Sequence, residues 1–153
     1  MNLCSDVLSC LKGKTLVTAE SCTGGGIGAA LTAVPGSSEV YKGGIICYTN
    51  WVKENILLVP GIMLEKYGAV SKPVAEAMAR GVRNVLNADV AVSVTGLAGP
   101  GGDSFGNPVG TVFIGYSDPS TSRVLECHFI GDRDSVRSQA VEAALNLVKM
   151  QNA

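Results

Sequence analysis

The stretch from Ser71 to Gly110 restricts the fold more than any other part of the chain. Ser71 can cap a helix and Pro73 suits its first turn, while Val74, Met78, Val82, Val85 and Leu86 fall on one helical stripe. Asp89 to Thr95 follows as an almost unbroken apolar run, the pattern of a strand buried on both faces. The glycine-rich loop GLAGPGGDSFGNPVG comes next. A one-faced helix feeding a two-faced strand requires layers of helix and sheet.

The rest of the chain repeats this alternation. Val7, Leu8 and Leu11 share the face of a short first helix, and Thr15 to Ala19 reads as a strand. Glu20 to Gly26 is a turn, and Ile27, Ala30, Leu31 and Val34 mark a helix stopped by Pro35-Gly36. Gly43 to Tyr48 reads as a second strand, with Asn50 as N-cap of a helix carrying Trp51, Val52 and Lys53, and a short helix is expected near Ile62 to Tyr67. Thr111 to Tyr116 and Arg123 to Ile130 form a hairpin across SDPSTS, and Asp132 caps a last helix with Val136, Ala140, Ala144, Leu147 and Val148 buried. The result is an α/β domain over residues 1–153, without repeat, linker or low-complexity segment. Aromatics are only 5% of the residues, so Val, Ile, Leu and Ala must build the core.

Composition excludes several function classes. Net charge is −1, with no basic run and no aromatic–basic interleaving, so no nucleic-acid partner is expected. No stretch approaches the ~20 apolar residues of a membrane span, so no membrane partner is expected. The five cysteines form no Cys-x-x-Cys pair, which points to reduced thiols rather than a disulfide framework or a zinc site. With no signal peptide read at MNLCSDVLSCLKGK, a cytoplasmic location is expected. A homo-oligomer is expected.

AESCTGGG, from Ala19 to Gly26, sits where a strand hands over to a helix. Backbone N–H groups there are unpaired and partly positive. A Ser21 hydroxyl at that point can attack a carbonyl while the N–H groups of Cys22 to Gly24 hold the oxyanion. Equally, Ser21 or Thr23 can simply cap the helix. The only histidine, His128, lies in the strand VLECHFI and reads as an ordinary strand residue, which argues against a Ser-His-Asp triad. Lysine is the remaining type of base. It must be neutral to act, so its pKa must fall from about 10.4. Lys53 lies in the largely apolar YTNWVK, although a solvated helix lysine would look the same. GLAGPGGDSFGNPVG is either a binding loop or a flexible surface loop. In GDRDSVR, Arg133 and Arg137 stand one turn apart at a helix start, suited to a phosphate or to salt bridges with Asp132 and Asp134.

Taken together, AESCTGG at 19–25, GGIICYTNWVK at 43–53, YGAVS at 67–71, SVTGLAGPGG at 93–102, PVGTV at 108–112 and GDRDSVR at 131–137 resemble the CinA C-terminal family. Members of that family include nicotinamide mononucleotide (NMN) deamidases. The resemblance implies a three-layer α/β/α sandwich with a mixed, mostly parallel sheet. It implies hydrolysis of the NMN carboxamide to nicotinic acid mononucleotide and ammonia, with no metal or organic cofactor and a small nucleotide as the partner. It implies Ser21 as nucleophile and Lys53 as its partner, with Tyr48, Thr95 and Arg133 around them. Tyr48 would also face the positively charged pyridinium ring. Arg137, Glu20, Asn50, Thr23, Gly24, Gly99 and Gly101 complete the expected substrate contacts. Ser104-Phe105-Gly106-Asn107 departs from the family, whose members often carry acidic and lysine residues there. The N-terminal nucleotide-processing domain of fused members is not found in the sequence, so pyrophosphatase activity is not expected. Two rival functions are a noncatalytic nucleotide- or phosphate-binding module and an amidohydrolase for another small amide.

Overall fold

Some helices begin at a residue whose side chain caps them, and others do not. In the computed structural model, which describes residues 2–153, Asn2 Oδ1 accepts from Cys4 N–H at 2.8 Å and starts α1 (Leu3–Cys10). Strand β1 (Leu16–Glu20) follows, then α2 (Gly26–Thr32), a 3-10 turn at Ser37–Glu39 and β2 (Tyr41–Ile46). Helix α3 (Asn50–Asn55) is capped by Thr49, not by Asn50 as expected. Thr49 has the extended backbone a cap needs, and its Oγ1 accepts from Val52 N–H at 3.4 Å. Helix α4 (Gly61–Tyr67) leads to α5 (Lys72–Val85). Ser71 stands at the cap position of α5, yet its hydroxyl donates backward to the Gly68 carbonyl at 2.8 Å and caps nothing. Strands β3 (Val90–Gly96), β4 (Thr111–Ser117) and β5 (Ser122–His128) precede α6 (Arg133–Asn152), whose expected cap holds: Asp132 Oδ1 accepts from Ser135 N–H at 2.9 Å.

The strands form one mixed sheet in the order β2-β1-β3-β4-β5. Pairs β2–β1 and β1–β3 are parallel, whereas β3–β4 and β4–β5 are antiparallel. All strands except β4 therefore run the same way. β2 covers 41–46 rather than the expected 43–48, because its parallel register to β1 begins at Leu16↔Tyr41 and ends at Glu20↔Ile46.

Alternate residues divide between two cores, as the period of a strand requires. Val90, Val92, Val94, Val112, Ile114 and Tyr116 face α1, α2 and α6, meeting Leu8, Ile27, Val136 and Leu147. Val17, Ala19 and Ala91 face the opposite way, toward Leu64, Val74, Met78 and Val82 of α4 and α5. This is the three-layer α/β/α sandwich. Helix α5 lies very close to the sheet: Ser93 Oγ donates to the Ala75 carbonyl at 2.6 Å, and a methyl at Gly115 would strike both groups. Gly115→Ala is therefore expected to destabilise the fold by roughly 1–3 kcal/mol through overpacking. Thermal denaturation should show a melting point lower by several degrees, at about 2–4 °C per kcal/mol for a domain of this size.

Candidate active site

Parallel strands lay their carboxyl ends side by side, and chain crossing to opposite faces after neighbouring strands opens a crevice there. Here β1 leads to α2 on one face, while α4 and α5 on the other face lead into β3. Ser21 directly follows β1, Cys47 and Tyr48 follow β2, and Gly96 closes β3. Together these ends form a cleft of about 380 Å³. Ser21, Lys53, Tyr48, Thr95, Asn50, Gly99, Gly101 and Arg133 all line it.

The central contact joins residues 32 positions apart: Lys53 Nζ lies 3.0 Å from Ser21 Oγ. Lys53 is only 1% exposed. Its nitrogen also donates to the Cys47 carbonyl at 2.8 Å and the Tyr48 carbonyl at 3.4 Å. A neutral amine has two N–H groups and one lone pair. The two carbonyls take the N–H groups and leave the lone pair for the serine proton. Burial lowers the Lys53 pKa, with the Cys47 and Cys22 thiols acting in the opposite sense. Their effect depends on ionisation, and burial pushes both thiols up to about 11, so they stay neutral near pH 7. Cys22 lines the cleft beside Ser21, but as a protonated thiol it is a poor nucleophile. Of the flanks Tyr48, Trp51, Val52 and Ile56, expected to desolvate the amine, Tyr48 is 57% and Trp51 64% exposed and Ile56 is exposed as well, whereas Val52 is half-buried against the core that contains Cys47. Lys53 instead points inward from α3, to the strand end at Cys47, which is wholly buried.

Four residues expected to touch substrate lie outside the cleft lining. Glu20 is 2% exposed, and its carboxylate accepts from Thr23 Oγ1 at 2.7 Å, Ile27 N–H at 2.8 Å and Gly28 N–H at 3.0 Å. The residue before helix α2 is a glycine, Gly25, which has no side chain to cap it; the Glu20 carboxylate does so, held in place by the Thr23 hydroxyl. Gly24, at φ +58°, turns the chain and donates its N–H to the Ser21 carbonyl at 3.1 Å. That use removes Gly24 from the oxyanion donors, Thr23 lies outside the lining, and the Cys22 N–H group is left as the candidate. Arg137 reaches back to the Cys22 carbonyl at 3.0 Å and the Thr23 carbonyl at 3.2 Å, so it braces the loop behind Ser21.

Two further expectations change in detail. Thr95 lines the cleft, but its single hydroxyl proton goes to the Ala69 carbonyl at 2.8 Å, which uses up the donor an oxyanion would need. The start of α6 is not a free anion site, because the Asp132 carboxylate already accepts there and Asp134 adds a second negative charge. Arg133 alone faces the cleft, donating to the Gly99 carbonyl at 2.7 Å and to Tyr48 Oη at 3.2 Å. His128 ends β5, pairs with Glu126 at 2.7 Å on the exposed edge and does not line the cleft. The sequence reading missed the wall at Ala69 and Val70, and also Asp103 and Asn107, whose Asp-x-Phe-x-Asn spacing is an Asx-turn signal. All five cysteines are free, and among the described residues no group of three His, Cys, Asp or Glu side chains could hold a metal. Among the described residues no helix is long and apolar enough to cross a membrane.

The sequence and the fold have known counterparts. The chain is 49% identical over 155 residues to a CinA-like protein of Synechococcus sp. (strain RCC307), covering 98% of this chain and 37% of that protein. It is 52% identical over 134 residues to a CinA-like protein of Parasynechococcus marenigrum (strain WH8102), covering 86% and 32%. The chain thus spans about a third of the length of these curated relatives. Among solved structures, a competence-damaged protein (CinA) superfamily protein from Escherichia coli superposes with a TM-score of 0.94 at 38% identity, over 97% of this chain and 88% of that one. The competence/damage inducible protein CihA from Agrobacterium tumefaciens gives 0.95 at 37% identity, over 99% and 94%. The CinA C-terminal domain model matches residues 3–151, and by that match and these relatives the chain belongs to the CinA C-terminal domain family.

Proposed function

We propose that the chain hydrolyses the carboxamide of nicotinamide mononucleotide to nicotinic acid mononucleotide and ammonia. The observation that carries this reading is the buried Lys53 amine 3.0 Å from Ser21 Oγ, at the end of a cleft large enough for a mononucleotide. Ser21 Oγ attacks the amide carbonyl carbon as neutral Lys53 takes its proton. The oxyanion faces the Cys22 N–H group, beside Ser21 in the cleft wall. The Lys53 ammonium then gives its proton to the departing nitrogen, the C–N bond breaks and ammonia leaves. Water attacks the acyl-enzyme with Lys53 again as base, and releases the carboxylate and Ser21. The side chains lining the cleft include Arg133 and no carboxylate, which suits the anionic 5′-phosphate. The Tyr48 ring at the cleft edge suits the pyridinium. Incubating purified protein with NMN and measuring ammonia and nicotinic acid mononucleotide tests the reading; release of neither product rejects it.

The two arginines should separate in kinetics. Arg133→Ala is expected to lower kcat/KM for NMN by roughly tenfold or more, the effect of losing a charged hydrogen bond, and to lower it less for the dephosphorylated riboside, which loses only the bonds to Gly99 and Tyr48. Arg137→Ala should lower kcat/KM for both substrates alike, because it releases the Cys22 and Thr23 carbonyls rather than a phosphate. Equal losses on both substrates for Arg133→Ala would leave Arg133 with the holding of Gly99 and Tyr48 alone and no phosphate role.

A further inference from the structure

We propose that Asp103 and Asn107 are a positioning pair that clamps the glycine wall of the cleft, residues 99–102, to the opposite wall at Ala69–Val70. The proposal rests on reading the cleft as an amidohydrolase site. Gly99 sits against Val109, where a Cβ would lie 2.6 Å from the side chain, but the wall beyond it has no packing of its own: a Cβ at Gly101 or Gly102 would meet nothing within 4 Å. Its position therefore depends on its ends. Arg133 holds the first end at the Gly99 carbonyl, 2.7 Å away. At the other end Asp103 folds the chain sharply. Its Oδ1 accepts from Phe105 N–H at 3.1 Å and Asn107 N–H at 3.2 Å, and its Oδ2 accepts from Asn107 Nδ2 at 2.8 Å.

Asn107 Nδ2 has two hydrogens, and the second bond it makes leaves the loop. It goes to the Val70 carbonyl at 3.1 Å, beside Ala69, whose own carbonyl takes the Thr95 hydroxyl. One amide nitrogen thus joins the two sides of the cleft. Phe105 adds a second contact between the same segments: its ring lies on Gly68, where a Cβ would sit 2.6 Å from the ring. Ser21 and Lys53 lie outside this arrangement, on the β1–α2 turn and on α3. Loss of the clamp should therefore weaken substrate binding more than it slows chemistry.

Three variants test this: Asn107→Ala, Asn107→Asp and Asp103→Ala. Each is assayed for KM and kcat on NMN and for backbone hydrogen exchange across residues 99–110. The expected result is a KM raised about tenfold with kcat within about threefold of wild type, the pattern of lost hydrogen bonds that act on binding. Asn107→Asp should be worse than Asn107→Ala. The new carboxylate cannot donate to Val70 and repels the Asp103 carboxylate, although it preserves the shape of asparagine. A residue that only filled space would show the reverse order, and that order overturns the proposal. The double variant Asp103→Ala/Asn107→Ala should be no worse than the poorer single, because both remove the same clamp. Exchange at the amides of residues 105, 107 and 110, whose N–H groups bond to Asp103 and Leu97, should quicken in every variant, and unchanged exchange there also overturns the proposal. If the wild-type protein fails to hydrolyse NMN, the amidase reading falls and the exchange result alone decides the clamp.

Discussion

Ser21→Ala is expected to lower kcat for NMN by roughly 10⁴-fold or more, as removal of a nucleophilic serine does in other hydrolases. The protein should still fold and bind NMN. Ser21 sits in a turn held from outside its side chain: its N–H donates to the Val94 carbonyl at 3.0 Å and its carbonyl accepts from Gly24 at 3.1 Å. Alanine keeps both bonds. Removal of the hydroxyl takes one partner from Lys53, which retains the Cys47 and Tyr48 carbonyls. Titration calorimetry with NMN and a thermal melt should therefore resemble wild type, while ammonia release falls to background. Near-normal turnover by a sequence-verified Ser21→Ala protein would end the assignment of Ser21 as nucleophile.

Lys53 gives the second large effect, and its sign follows from burial. The ordinary lysine pKa is about 10.4, and burial lowers it here because a charged amine loses its water. The active form is the neutral amine. Activity should therefore rise with pH along one limb whose midpoint lies below the ordinary lysine value, and fall away on its acid side. Stability carries the same sign. The unfolded chain binds the lysine proton more tightly than the folded one, so this contribution is fully present above the ordinary value and is lost as pH falls through the lowered one. Lys53→Arg should reduce kcat by about 10²–10⁴-fold, the range for a general base, because guanidinium stays protonated. Lys53→Ala should be equally poor yet bind NMN. An active Lys53→Arg enzyme would make Lys53 an electrostatic or structural residue, and the base would have to be another group.

The local sequence carries the order of elements because strands and helices have their own periods. The almost unbroken apolar run of β3 announces burial on both faces, and both faces are covered. The stripe from Val136 to Val148 announces the buried side of α6, and Asp132 announces its start. The two glycine-rich segments mark where the chain turns at the carboxyl ends of β1 and β3, and both border the cleft. Pairing across the fold is different, because no periodicity encodes it. Whether Lys53 is a solvated helix lysine or a buried base depends on β2 lying beside β1, which brings Cys47 and Ser21 to one amine. Glu20 and Ser21 are sequence neighbours with opposite fates, since successive residues at a strand end point to opposite faces. One caps α2 in the interior and the other lines the cleft. Arg133 and Arg137 look equivalent in sequence, but four residues along α6 move the second behind the AESCTGG turn. Residue type and spacing thus determined which groups this chain has for chemistry. Strand order and helix placement decided which of them meet, because contacts between distant residues follow from how the layers pack.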